Sequence, residues 1–219
     1  MFASKFKRTQ KMKKLFFTTV VAAIFALNLK AEAPAEGKTV YNVKTDESSV
    51  QWLSKKVTGQ HEGTVSLLDG QVVAESNKLV SANLKLDMNT ITCTDLTDEG
   101  WNQKLIGHLK SDDFFSVEKH PEVLFAATGF TPKNTDEKGN NYEISGKLTI
   151  KGITKDIAFP AKVKVADSKL TAVGVATVDR TEYDIKYKSG SFFSDLGDNM
   201  IYDDFQITFQ LVATPGEAN

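Results

Sequence analysis

Three histidines, one cysteine and many carboxylates are the groups in this 219-residue chain with the means to do chemistry. His61, His108 and His120 share no metal-ligand spacing of the His-x-x-x-His kind, so the sequence predicts no metal and no cofactor. Folding could gather His61, His108 and an aspartate such as Asp95, but nothing in the spacing asks for it. Plainer roles are expected: His108 packed on a helix face, His61 at a strand end, His120 exposed before Pro121. Cys93 lies in Thr92-Cys93-Thr94 without the base or electropositive pocket that makes a nucleophilic thiolate. It reads as a small, half-buried apolar residue. Asp112-Asp113 and Asp203-Asp204 are adjacent pairs, and neighbours on a strand point to opposite faces, so both default to solvent. There is no Gly-x-Ser-x-Gly elbow, phosphate-binding glycine loop or dinucleotide fingerprint. The sequence therefore points away from an enzyme.

The aromatic residues say more. With 14 Phe, five Tyr and two Trp, the chain has pairs such as Phe114-Phe115 and Phe192-Phe193 in otherwise polar surroundings. Singly, each caps a core. As a set they suggest the lining or mouth of an apolar pocket, which suits a lipid-like ligand better than catalysis. The net charge of −1 gives no support to nucleic-acid binding, and a single cysteine excludes an intramolecular disulfide.

The charge is unevenly spread. Residues 1–33 carry seven basic side chains and one acid; the remainder, with 20 basic and 27 acidic residues, is net −7. A basic stretch ending at Lys13-Lys14, an apolar run from Leu15 to Leu29 and small residues at Ala31 and Ala33 read as an export signal over 1–33. An uncleaved anchor is the alternative, but the run is shorter than the about 20 residues a membrane span needs. Met12 is an equally ordinary start. Residues 34–38 read as a short flexible lead-in and 39–214 as one domain, expected in the periplasm or secreted after removal of the signal.

Elements of period two must position any pocket. Segment 80–88 sets Val80, Ala82, Leu84, Leu86 and Met88 on one face. Segments 142–150, 157–165 and 201–211 alternate in the same way, as half-buried antiparallel strands do. Weaker strands are expected near 39–45, 48–58, 62–68, 71–76, 122–131 and 169–179, with Asp69-Gly70 as a hairpin turn. In 169–179 the inward face is ambiguous, since Leu170, Ala172, Gly174 and Ala176 compete with Val173 and Val175. The exception is 97–115, where Trp101, Leu105, His108 and Leu109 share one helical face after a capping Thr97-Asp98-Glu99. Eight or so strands stack as a sandwich or close as a barrel, and periodicity does not choose.

Longer motifs add to this. His108-Leu109-Lys110-Ser111-Asp112-Asp113-Phe114-Phe115, continuing to His120-Pro121, resembles the helix-to-strand segment of the YceI-like, polyisoprenoid-binding family. Gly146-Lys147-Leu148-Thr149-Ile150-Lys151-Gly152-Ile153-Thr154-Lys155 resembles that family's hairpin. Asp46-Glu47-Ser48-Ser49-Val50 and Arg180-Thr181-Glu182-Tyr183 resemble its first-strand and late segments. The resemblance implies a mainly β fold: an eight-stranded antiparallel lipocalin-like barrel with a helical insertion near 97–115. It also implies a cavity for an isoprenoid lipid, such as a polyprenyl chain or quinone tail. On that reading Trp52, Leu84, Leu86, Met88, Phe125, Ile144, Leu148, Phe159, Phe205 and Phe209 line or support the cavity. Trp101, Leu105, Leu109, Phe114, Phe115, Phe192 and Phe193 cover it, and His61, His108 and Arg180 are the head-group candidates. Transient membrane contact and a homodimer are compatible associations. An enzyme acting on a lipid-like substrate, or an interaction module with a filled barrel, are the alternatives.

Overall fold

The computed structural model describes residues 37–166 and 168–216, so the expected export signal lies outside the described residues. Among the described residues there are ten strands and one α-helix: β1 Lys38–Val43, β2 Ser49–Lys56, β3 Gly59–Thr64, β4 Ser66–Glu75, β5 Lys78–Asp87, α1 Glu99–Lys110, β6 Glu122–Pro132, β7 Tyr142–Ile150, β8 Ile153–Ala166, β9 Lys169–Asp179 and β10 Ile201–Pro215. Neighbouring pairs are antiparallel, and β1 closes on β10. Both β1 and β2 lie along β10, with Val43 opposite Ala213 and Ser49 opposite Gln210, so together they form one interrupted stave. β3 and β4 likewise pair with β2 and β1 in turn. The ten strands are thus eight staves of a closed barrel. Closure leaves no terminal strand and gives one continuous inner face.

Alternation sets that face. Leu170, Ala172, Ala176 and Val178 of β9 are buried, while Val173 and Val175 are exposed, which resolves the ambiguous strand. Two sequence expectations fail here, both at bulges. Asp69-Gly70 is not a turn but part of β4, where the register against β5 shifts between Leu67 and Asp69. Gly70 is needed for space: a Cβ there would stand 2.8 Å from both Leu84 and Val43. On β5, Ser81 pairs with Val73 but Leu79 with Ala74, leaving Val80 as an extra residue. A one-residue slip reverses the faces, so Leu79 turns inward and Val80 outward, contrary to the simple alternation.

The barrel ends differ. At the plugged end Tyr41 is 1 % exposed, and its hydroxyl donates to the Ala166 carbonyl at 2.9 Å. Buried Ala74, Ala161 and Ala213 belong to the same apolar cluster. At the capped end the chain makes two excursions, 88–121 and 180–200. Asp98 caps α1 by accepting from the Trp101 amide at 2.9 Å, and Asn102 fastens the lead-in by donating to the Cys93 and Leu96 carbonyls. The helix packs through Leu105, Ile106 and Leu109. At 3.6 residues per turn, Trp101 falls about 90° from the centre of that face. It is 63 % exposed, with the Lys104 ammonium 4.4 Å from its ring. His120 is half-buried, its ring lying against the Lys151-Gly152 turn.

Two seams in the barrel are unzipped. β5 pairs with β6 only from Asn83 opposite Ala126 to Asp87 opposite Glu122, so the strand ends nearer the plugged end diverge. β8 pairs with β9 only from Ala161 onwards, leaving Ile153–Pro160 without that partner.

The barrel cavity as the candidate ligand site

An internal cavity of about 180 Å³ runs between the two apolar clusters. Every stave contributes to its wall, and the only polar side chains on it other than the Trp52 indole are Ser54 and Arg180. The Trp52 N–H is turned away, donating to the Thr92 carbonyl at 3.0 Å. Several inward residues, among them Leu84, Leu86, Phe125, Leu148 and Phe209, are only half-buried although they sit on the wall. Their residual surface faces the cavity. A side-chain-filled barrel would leave none, so this interior is open. A space of this size and polarity stays dry and favours an apolar guest.

Three phenylalanines cross the middle. The Phe125 and Phe159 ring centroids are 5.5 Å apart, as are those of Phe159 and Phe209. These residues sit on alternate strands β6, β8 and β10, with Gly146 of β7 and Gly174 of β9 between them. A Cβ on Gly174 would stand 2.6 Å from the Phe209 ring, and one on Gly146 would collide with Phe125. The two glycines therefore let the rings lie flat across their neighbours and meet, a contact worth ~1 kcal/mol per pair beyond simple burial.

Of the residues expected to line or cover the cavity, Trp52, Leu84, Leu86, Met88, Leu109, Phe114, Phe115, Phe125, Ile144, Leu148, Phe159, Phe205 and Phe209 stand on its wall. Four others do not. Trp101 points to solvent for the reason given above, and Leu105 packs behind the floor in the capped-end cluster. Phe192 and Phe193 are 50 % and 52 % exposed on a turn-rich loop, where Lys186 stacks on Phe192. Leu79, Phe130, Ile185 and Ile207 line the cavity without having been singled out. Period two along β10 places Ile207 there; the other three depend on bulges and the capping loop.

Of the head-group candidates, Arg180 alone reaches the wall. It is 3 % exposed, and its guanidinium donates to the carbonyls of Tyr202, Ile185 and Ile201 and to Asp203. Burial lowers its pKa, opposed by Asp203 and Asp179. Most of its donors hold the 180–200 excursion in place. His108 meets Phe114 and Tyr187 edge-on, with Nε2 3.2 Å from an Asp113 oxygen. His61 lies outside the cavity, its Nδ1 2.8 Å from Asp95 Oδ2. Asp95 Oδ1 also accepts from the Glu62 amide at 2.9 Å and the Cys93 thiol at 3.1 Å. Burial acts to raise the Asp95 carboxyl, but the hydrogen bonds from Glu62, Cys93 and His61 outweigh it and bring the pKa to about 2. Burial pushes the Cys93 thiol up.

A closed barrel with an apolar core space and a helical cap defines a lipocalin-like class of enclosing protein. Within it, the YceI-like domain matches residues 41–213, and the chain belongs to that family. BcnA of Burkholderia cenocepacia is 28% identical, with a TM-score of 0.59 over 78% of this chain and 99% of that one. A polyisoprenoid binding domain from Saccharophagus degradans, implicated in plant cell wall breakdown, has a TM-score of 0.58 at 13% identity, over 81% of this chain and 99% of that one; it shows the shared fold. A UPF0312 protein of Photorhabdus laumondii is 32% identical over 41% of this chain, but the match spans only 44% of that relative's length. The Salmonella newport protein YceI is 26% identical, with 69% of each chain covered.

Proposed function

We infer that the barrel is a carrier for a long apolar lipid of the isoprenoid type, a polyprenyl chain or quinone tail, held in the cavity that the phenylalanine belt crosses. The observation that carries this is the open cavity with only Ser54 and Arg180 as polar side chains on its wall besides an indole turned elsewhere. The fold is that of a Saccharophagus degradans domain described as polyisoprenoid binding, which is consistent with the same ligand class. Each methylene moved from water to such a wall gains ~0.8 kcal/mol. A bilayer offers nearly the same gain, so the protein need only match the membrane, and access to the cavity governs exchange. The basic-apolar-small pattern of residues 1–33 supports export, and an exported carrier would work beside membranes outside the cytoplasm.

Binding fits the site better than catalysis, because Arg180 is engaged and His61 and His108 lie off the wall. Organic extraction of the purified protein followed by mass spectrometry is expected to recover an isoprenoid, and stripped protein to reload with a polyprenyl alcohol. Recovery of none, together with failure to load, overturns the reading. Ala176→Phe fills the cavity from β9; it is expected to abolish loading while costing about 1–3 kcal/mol of stability.

A further inference from the structure

We propose that His61, Cys93 and Asp95 form a binding site for one zinc-like divalent cation at the capped-end rim of the barrel, between β3 and the segment that follows Ile91. Among the described residues this is the one grouping of three His, Cys or carboxylate donors whose ligand atoms all lie within 4.8 Å of one another. Two of the separations are shorter still, 2.8 Å from His61 Nδ1 to Asp95 Oδ2 and 3.1 Å from Cys93 Sγ to Asp95 Oδ1. Around a tetrahedral zinc, sulfur and nitrogen ligands sit about 3.6 Å apart, within reach of small side-chain rotations. Imidazole, thiolate and carboxylate are the donor types zinc takes, and three protein donors leave a fourth position for water. Histidine and aspartate are partly exposed, with side-chain accessibilities of 29% and 27%, so an ion has a path in, whereas Cys93 is buried behind them.

The backbone prepares the site. His61 and Glu62 are on β3, and the segment after Ile91 runs beside it: the Thr92 amide donates to the Thr64 carbonyl and the Thr94 amide to the Glu62 carbonyl. The Glu62 amide holds Asp95 Oδ1, leaving Oδ2 to turn to the ion, as an outer hydrogen bond commonly fixes a ligating carboxylate. Asn102 of α1 holds the Cys93 carbonyl at 2.8 Å, so the site also ties the helix to the barrel. Binding replaces the Sγ–H and Nδ1–H contacts to Asp95 with bonds to the metal. The thiol proton leaves to solvent, and the hydrogen of the neutral imidazole shifts by exchange with solvent from Nδ1 to Nε2, which frees Nδ1 to ligate. Spacing in the chain gives no sign of this, because the register of β3 against residues 92–95 brings the donors together.

The test uses reduced, chelator-treated protein. Added Co²⁺ is expected to give a thiolate charge-transfer band and the strong visible bands of a four-coordinate ion, saturating at one per chain and displaced by Zn²⁺. Zn²⁺ should raise the melting temperature. Cys93→Ser should lose the charge-transfer band; because that residue is buried, His61→Gln is the companion variant, with metal affinity expected to drop at least tenfold. A folded protein that shows no cobalt–thiolate band overturns the proposal, as does unchanged affinity in His61→Gln. In either of those cases Asp95 serves only as a hydrogen-bonding hub. Lipid loading does not enter any of these readouts.

Discussion

The two unzipped seams are built alike and finished differently. At the β8–β9 seam the exposed apolar edges are covered: Ile153, Ile157 and Val178 share a cluster with Tyr183 and Ile185 from the 180–200 excursion. Arg180 fastens that cover through three carbonyls and Asp203. At the β5–β6 seam nothing comparable lies across the gap among the described residues. Leu79 and Phe130 are half-buried there, both on the cavity wall, and Val80 beside them is exposed. Each strand of this seam carries a bulge on its far side, at Val80 against β4 and at Thr128 against β7. Bulges bend and twist strands, which accounts for the divergence. One seam is therefore covered and the other open, and on the carrier reading proposed above the open seam is the route a ligand would take.

The largest expected effect is at the covered seam. Arg180→Leu strands the carbonyls and Asp203 without their donor, and a loss of ~3–5 kcal/mol in urea unfolding is expected. A loss under about 1 kcal/mol would show that the cover stands without its clamp. At the open seam the effect should fall on kinetics. Leu79→Ala with Phe130→Ala, both half-buried, should cost less than about 4 kcal/mol together while lipid uptake and release speed up several-fold. If stopped-flow exchange is unchanged there but accelerated by Ile185→Ala, the roles of the seams are reversed. The smallest effect is alkaline. Burial, with a lesser push from Glu182, raises the Tyr183 hydroxyl to about 12 from an ordinary 10.0. Below pH 10 the phenol is neutral in both folded and unfolded chains, so it contributes no pH dependence. Between 10 and 12 only the unfolded chain ionises, and stability falls as pH rises. Tyr183→Phe should flatten that part of the stability profile relative to the parent.

Much of the barrel was legible in the residues, because burial on one side of a strand writes period two into the sequence. That is why Leu84, Leu86, Ile144, Leu148, Phe205 and Phe209 were placed inward and stand on the wall. Closure had no such signature; a sandwich needs the same alternation, and only the longer motifs favoured the barrel. Positions governed by one extra residue were not legible either. Val80 carries an inward pattern yet faces out, because the register shift lies in its pairing with β4. Trp101 matched a helical face in sequence, but the face that packs is centred on Leu105, Ile106 and Leu109. The meeting of His61 with Cys93 and Asp95 spans more than thirty residues and depends on pairing that no local pattern encodes.

The interrupted first stave has one more consequence. β1 meets the end of β10 with Tyr41 opposite Pro215, and the Gly216 amide donates to the Val40 carbonyl at 2.8 Å. Start and finish of the barrel are thus neighbours at the Tyr41 end, away from α1. A short linker between them should allow circular permutation with new ends in the 133–141 loop. A fusion partner attached at either side would hang from that pole and leave the helical pole unobstructed.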